Sequence, residues 1–374
     1  MKIVYQSFEG RYADNTRVLY EALRAREPGH EHVWLADPAH AAGFPPDALT
    51  VRYGSEQSIE ALESADLVIA NTHTDLPWRK RADALYLQTW HGTPLKRIHL
   101  DVLWAPEGRL DRLSGDVAQW DVLLSPNRVS TERLRGAFGF SGEVLESGYP
   151  RNDVLSGPDR EAVRERVRRE LGIPAGRTAV LYTPTWRDDV VFAKGEAAAF
   201  ADGDRELELD LDLDVDAFTQ RLGDDHVLLL RLHYMLKGRL KPVEHPAVRD
   251  VSLHADVGEL FLAADVLVTD YSSTMFDFAV TGKPLLFYTY DLDDFEKRVR
   301  GFYFDLSPIA PGPLMQTTGE LLDALAELPQ VTAQYADRYA HFRDTFCHLE
   351  DGHATERVLD RVLRTQAPRP ATVR

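Results

Sequence analysis

Two successive series of short apolar segments, separated from one another by helical stretches, constrain the fold of this chain most. The first series covers residues 3–5, 33–35, 67–70, 84–89, 122–124 and 144–146, and the second covers 178–182, 227–232, 248–253, 266–269 and 285–288. Strands that are apolar along their whole length are typical of parallel sheets with helices on both faces. The pattern predicts two α/β units in tandem.

The boundary between the two units is predicted near residue 155. A Ser-Gly-Pro turn at 156–158 precedes a charged helical stretch at 159–171, which Gly172 and Pro174 end. We therefore expect one domain at 1–155, a second at 156–345, and a C-terminal helix with a frayed tail at 346–374. Residues 193–216, rich in Ala, Asp and Glu, are expected to form a surface insertion, in which the alternating part at 207–215 could form an exposed strand.

Composition narrows the class of protein. The chain of 374 residues carries 43 Lys and Arg against 60 Asp and Glu, a net charge of −17, which disfavours binding to nucleic acid and to anionic lipid. With Cys347 as its one cysteine, it can form no intrachain disulfide and no zinc ribbon. No stretch has the ~18 apolar residues of a membrane span, so we expect a cytoplasmic protein whose membrane contact, if any, is peripheral.

Chemically reactive side chains follow several of the predicted strands, at the sheet edge where parallel sheets bind ligands. The segment from Asp270 to Asp277 ends a strand and begins a helix with Ser272, Ser273 and Thr274. Hydroxyl groups and free N–H groups at a helix N-terminus bind phosphate well. The alternative is that these hydroxyls only cap the helix, with Thr274 and Asp277 as a capping box.

Two histidines, His91 and His233, follow strands in the two halves. His91 precedes Gly92 and lies in a tight loop that suits a general base near neutral pH, although a structural role is the alternative. No HExxH, GxGxxG, GxxxxGK[ST] or GxSxG motif occurs. Six basic residues near strand ends predict a basic cleft, unless they pair with the excess carboxylates: Lys96, Arg151, Arg187, Arg231, Lys283 and Arg300.

Five segments resemble, in order and spacing, the CDP-glycerol glycerophosphotransferases of teichoic acid synthesis. They are LQTWHGTPLKR at 87–97, LYTPTWRDD at 181–189, LRLHY at 230–234, VTDYSSTMFD at 268–277, and FYTYD at 287–291 together with RGFYFD at 300–305. The resemblance covers about residues 7–313. It implies a GT-B fold, in which two Rossmann-like parallel-sheet domains face each other across a cleft, with the acceptor on the first domain and the donor nucleotide on the second.

The resemblance also implies the activity and the roles of individual residues. Glycerol phosphate would pass from CDP-glycerol to a hydroxyl of a lipid-linked or polymeric polyol-phosphate acceptor, releasing CMP, with no metal and no cofactor. His91 would be the base and His233 would contact the donor pyrophosphate. The other residues that it implicates are Ser272, Ser273, Thr274, Arg231 and Arg187 for donor binding, with Asp270, Asp277, Gly92 and Thr93 as supporting residues.

Other functions stay open at this point. The motifs do not separate CDP-glycerol from CDP-ribitol, or primase from polymerase, and a nucleotide-sugar glycosyltransferase uses the same fold. A non-catalytic nucleotide- or polymer-binding protein is a further alternative, which the two histidines disfavour. Family members dock on the inner face of the membrane through a basic surface, from which this acidic chain departs. Residues 99–113 fit either an interfacial segment or an ordinary buried helix.

Overall fold

A computed structural model describes residues 1–103, 105, 107–185, 212–232, 245–296 and 301–366. The chain divides into two compact units. Unit 1 comprises residues 1–93, 106–157 and 348–374, and unit 2 comprises residues 94–105 and 158–347.

Unit 1 contains a seven-stranded parallel sheet. Short 3₁₀ turns occur in the same unit at Pro38–Gly43 and Pro150–Asn152. Its strands are β1 (Lys2–Gln6), β2 (Glu31–Ala36), β3 (Leu49–Arg52), β4 (Leu67–Ala70), β5 (Leu85–Gln88), β6 (Val122–Ser125) and β7 (Glu143–Glu146). Its helices up to the boundary are α1 (Asp14–Arg26), α2 (Glu56–Ser64), α3 (Arg109–Val117), α4 (Arg128–Phe138) and α5 (Asp153–Ser156). The strand order β3-β2-β1-β4-β5-β6-β7 is that of a doubly wound fold.

Unit 2 repeats this organisation with six parallel strands in the order β10-β9-β8-β11-β12-β13. The strands are β8 (Thr178–Thr183), β9 (His226–Leu230), β10 (Val248–Asp250), β11 (Val266–Thr269), β12 (Leu285–Tyr288) and β13 (Leu314–Met315). The helices are α6 (Arg160–Glu170), α7 (Val215–Leu222), α8 (Val257–Ala263), α9 (Thr274–Ala279), α10 (Leu292–Asp294), α11 (Thr318–Ala326), α12 (Leu328–Gln334) and α13 (Ala336–Phe346).

Burial explains why the central strands were visible in the sequence and two others were not. Every residue of β4 and β11 is buried, as expected of strands covered on both faces. The unpredicted β3 lies at the edge of its sheet, where Leu49 is 53% exposed, and β13 has only two residues. Neither strand has the continuous apolar run that burial on both faces requires.

The C-terminal helix predicted within residues 346–374 is α14 (Ala354–Gln366), which is part of unit 1. Val358, Leu359 and Val362 are buried in the same core as Leu19 of α1 and Trp34 of β2. This helix begins where Asp153 accepts the backbone N–H groups of Ala354 and Thr355. Residues 367–374 lie outside the described part of the chain.

The chain also divides differently from the prediction at residues 94–105, which belong to unit 2 and include a 3₁₀ turn at His99–Asp101. Lys96 forms an antiparallel bridge with Phe302, and the Tyr303 N–H donates to Leu95 O at 2.8 Å. These bonds attach the segment to unit 2. Leu100 and Leu103 in this segment are 47% and 56% exposed, and Trp104 lies outside the described residues.

Most of the acidic insertion predicted at 193–216 lies outside the described part of the chain, which resumes at residue 212. An exposed strand was predicted at 207–215, and for the part of it that the structure describes this prediction is wrong. Leu213 is buried in the unit 2 core, and Asp214 caps helix α7 by accepting Ala217 N–H at 2.8 Å. Among the helices that the structure describes, none has the length and apolarity needed to cross a bilayer.

Candidate active site

The loop after β5 carries His91, and two side chains from other elements hold its backbone. Asn15 Nδ2 donates to Trp90 O at 3.1 Å, and Arg151 Nη1 donates to His91 O at 2.9 Å. The Trp90 N–H donates to Gln88 Oε1 at 2.9 Å. Consecutive main-chain groups of this loop are thus paired with side chains, which fixes the position of the imidazole.

The His91 ring is held in one tautomer. Its Nδ1 lies 2.6 Å from Asn71 O, and because a carbonyl oxygen can only accept, Nδ1 must donate and carry the proton. The neutral ring then has its lone pair on Nε2. Burial lowers the pKa of His91 below its ordinary value of 6.5, so the neutral form prevails at pH 7. This is the state that a general base requires.

Backbone strain is concentrated around His91. In the described part of the chain, five residues other than glycine have positive φ, and four of them belong to this region: Phe8, Glu9, Asp14 and Trp90, with φ of 43°, 59°, 65° and 52°. The Trp90 and Phe8 rings lie 4.3 Å and 5.3 Å from the imidazole, between centroids. Left-handed conformations of such residues are costly and cluster at functional sites. Gly92 and Thr93, which follow His91, are buried.

In unit 2, Asp270 joins the ends of β8 and β11, where the strand order reverses and ligands bind in doubly wound sheets. Its two carboxylate oxygens accept the Thr185 N–H at 2.9 and 3.0 Å, and Oδ1 also accepts the Tyr271 N–H at 2.5 Å. Asp270 shapes the loop from which the following hydroxyl groups project.

The three hydroxyl residues differ in how they are used. Thr274 Oγ1 lies 2.9 Å from Thr183 Oγ1, so that hydroxyl links the helix start to β8. Ser272 and Ser273 are half-buried, and Ser272 Oγ accepts Thr274 N–H at 3.4 Å. Thr274 is the first residue of helix α9 and not its N-cap, so the Thr274–Asp277 capping box is not formed, whereas the bond to Ser272 is consistent with the simpler capping alternative. Asp277 is buried in the helix.

The structure describes four of the six basic residues behind the predicted basic cleft, and three of these are bonded to nearby carboxylate or carbonyl groups. Arg151 pairs with Asp14 at 2.5 Å, and Lys283 Nζ donates to three backbone carbonyls at the end of helix α8. Arg231 Nη1 donates to His254 O at 2.7 Å. Lys96 Nζ lies 3.5 Å from Thr185 Oγ1, beside the Asp270 loop. The remaining predicted residues, Arg187, His233 and Arg300, lie outside the described residues.

Sequence reasoning missed the partners of His91. Asn71 follows β4 directly, and its side-chain oxygen accepts Phe8 N–H at 3.1 Å while its carbonyl accepts His91. A polar residue directly after a buried strand was the available signal. Asn15 had no such signal, since it lies inside helix α1. Among the residues described, no group of three or more His, Cys, Asp or Glu side chains is arranged to hold a metal ion.

Two Rossmann-like units in tandem, each with polar groups at the carboxyl ends of its central strands, define a protein of the GT-B class. The family model described as CDP-glycerol:poly(glycerophosphate) glycerophosphotransferase matches residues 1–364, and the chain belongs to this family. The resemblance and the α/β fold class inferred from the sequence are therefore confirmed.

Individual relatives agree with this assignment. The chain is 36% identical to a teichoic acid glycerol-phosphate transferase of Staphylococcus aureus, over 97% of this chain and 92% of that protein. It is 35% identical to a teichoic acid poly(glycerol phosphate) polymerase of Bacillus subtilis, over 97% of this chain but 49% of the polymerase. The chain thus spans about half the length of that polymerase. Ribitol-phosphate polymerases also match, with lower identity.

A solved structure of the wall teichoic acid polymerase TagF superposes with a TM-score of 0.87 and 34% identity. The match covers 98% of this chain and 90% of that chain.

Proposed function

We propose that this protein transfers glycerol phosphate from CDP-glycerol to a hydroxyl group of a lipid-linked or polymeric polyol-phosphate acceptor, with release of CMP. The observation that carries the proposal is His91, whose Nδ1 proton is held by Asn71 O so that Nε2 keeps the lone pair that a base needs. Family membership supports the choice of donor. The chain is more similar to a glycerol-phosphate transferase than to a ribitol-phosphate polymerase, which favours CDP-glycerol over CDP-ribitol as the donor.

The reaction is a displacement at phosphorus. The acceptor oxygen attacks the glycerol-linked phosphorus as its proton passes to His91 Nε2. A new P–O bond forms, the bond from this phosphorus to the bridging oxygen breaks, and CMP leaves with the electron pair. Proton removal is useful because the pKa of an alcohol lies far above 7.

Donor binding is assigned to unit 2, at the Asp270 loop. Ser272 and Ser273 would donate hydrogen bonds to pyrophosphate oxygens, and the N-terminus of helix α9 adds a favourable dipole. Thr274 would support this site by fixing the helix start, since its hydroxyl is bonded to Thr183 and its N–H to Ser272 Oγ. His233 and Arg187 would contact the donor, as the family resemblance implies. Arg231 would act mainly by holding the loop that follows β10.

We place the reaction in the cytoplasm, at the inner face of the membrane where a lipid-linked acceptor is available. The exposed Leu100 and Leu103 support a peripheral contact by apolar side chains. The net charge of −17 makes an apolar contact more favourable than an electrostatic one.

CMP release tests the proposed function. Purified protein is incubated with CDP-glycerol, with and without a glycerol-phosphate-primed lipid analogue presented in detergent or in vesicles. Acceptor-dependent CMP release is expected, with CDP-ribitol and UDP-sugars giving much lower rates. A higher rate with a UDP-sugar would identify a glycosyltransferase instead, and donor binding with no turnover in any mixture would favour a binding protein.

We expect the transfer to need neither a divalent metal nor a cofactor. Both oxygens of Asp270, the carboxylate that ends the strand before the proposed phosphate site, accept backbone N–H groups and so serve the loop. Helix N–H groups, hydroxyls and basic side chains would then balance the charge of the leaving group. Turnover should be unchanged in EDTA. Loss of activity in EDTA that magnesium restores would contradict this expectation.

A further inference from the structure

A buried ion pair lies directly against the His91 loop. Arg151 is 8% exposed, and its Nη1 donates both to Asp14 Oδ2 at 2.5 Å and to His91 O at 2.9 Å. Its guanidinium lies 4.9 Å from the centroid of the Tyr149 ring. Burying two charges is expensive, and such pairs contribute little net stability compared with apolar residues. A role in geometry is therefore the more informative explanation.

The pair belongs to a network that spans three elements. Asp14, in a left-handed conformation at the start of α1, accepts the Asn15 N–H at 2.8 Å. Asn15 Oδ1 accepts the backbone N–H of Arg151 at 3.0 Å, and Asn15 Nδ2 donates to Trp90 O. Asn15 and Arg151 thereby hold two successive carbonyls, those of Trp90 and His91. Because Trp90 is itself strained, these bonds keep the loop in a conformation that it would not adopt alone.

We infer that Arg151, together with Asp14, is a positioning pair for His91: it fixes the direction of the imidazole and tunes its affinity for the acceptor proton. This inference rests on the proposed function, in which His91 is the base.

The charges around the ring agree with such tuning. Arg151, from the turn at 150–152, lowers the pKa of His91, and Asp14, from helix α1, raises it. His73, from the loop between β4 and β5, lowers it further. Removing one member of the pair should therefore shift the titration of His91 in a direction that depends on which member is removed. A pair that served only the stability of the fold would also shift this titration, but it would leave kcat per folded molecule unchanged.

The test combines kinetics with NMR titration of the His91 ring. Arg151→Met should lower kcat on the order of 10-fold with an unchanged KM for CDP-glycerol, because a small displacement of a reacting group has a large effect on rate. It should also raise the pKa of His91, whereas Asp14→Asn should lower it. Arg151→Lys keeps the charge but not the forked geometry, so it should lower kcat with a smaller shift in pKa.

Lys80→Met is the matched control. Lys80 Nζ pairs with Asp121 at 2.6 Å and donates to Ala84 O at 3.0 Å, at the opposite end of β5. This variant should lose stability without a change in kcat or in the His91 titration. The inference is wrong if Arg151→Met and Asp14→Asn leave the His91 pKa unchanged or shift it in the same direction. The titration needs no substrate, so it still tests the tuning of His91 if wild-type protein releases no CMP, a result that would refute the proposed function instead. Unchanged kcat in Arg151→Met, with an active wild type, would refute the positioning role.

Discussion

His91→Ala should transfer glycerol phosphate about 10²–10⁴-fold more slowly than wild type while binding CDP-glycerol with nearly the same affinity. The variant lacks the Nε2 lone pair that accepts the hydroxyl proton, whereas the proposed donor site lies in unit 2. Single-turnover rate and melting temperature are measured on the same preparation. A folded variant that retains more than about a tenth of the normal rate would exclude the base role.

His32→Ala provides a matched control for the loss of a partly buried neutral histidine. His32 lies in unit 1 near the amino end of β2, with its Nδ1 2.8 Å from Tyr5 OH, and burial lowers its pKa to about 4. This variant should be destabilised without loss of rate per folded molecule. If His91 only supported its loop, the two variants would behave alike.

The pH dependence of the wild-type rate should also show whether neutral His91 acts as the base. Because burial lowers the pKa of His91, the acid limb should have its midpoint below 6.5, and the rate should be level from pH 7 to 8. The lowered pKa of His91 also makes the stability of the fold depend on pH. Below pH 6.5 the unfolded chain binds a proton at this residue before the folded chain does, so the contribution of His91 to stability falls as the pH decreases.

The second large effect is expected at the proposed donor site. Replacing Ser272 and Ser273 together with alanine removes two hydroxyl donors to charged oxygens, a loss of about 1–3 kcal/mol, or roughly 5- to 150-fold in the dissociation constant. Isothermal titration with CDP-glycerol measures the change. Unchanged affinity in the double variant would exclude the assignment.

Thr281→Val is the control for this pair. Thr281 Oγ1 donates to Phe278 O at 2.7 Å at the opposite end of helix α9, where the dipole does not favour an anion. The substitution removes a hydroxyl next to the same helix at nearly constant shape. CDP-glycerol affinity should be the same as in the wild type, so any shared loss would indicate damage to the helix rather than to the phosphate contacts.

Local patterns in the sequence account for much of the fold. Strands such as Leu67–Ala70 and Val266–Thr269 were predicted with the bounds that the structure gives them, because burial on both faces requires an apolar side chain at every position. Strand β3 was missed since an edge strand has no such requirement. A C-terminal helix was predicted within residues 346–374, but its packing could not be predicted, because the burial of its apolar residues depends on distant elements of unit 1.

The candidate site shows where sequence reasoning ends. The types of reactive residue and their places after strands follow from the sequence, since parallel strands direct their carboxyl ends to one edge of a sheet. The tautomer of His91, the use of Asp270 by backbone N–H groups and the pairing of Arg151 with Asp14 were decided by the tertiary structure. Each depends on which donor meets which acceptor, and those partners are 20, 85 and 137 residues apart along the chain. Hydrogen bonds act over about 3 Å, so folding alone determines which of these groups meet.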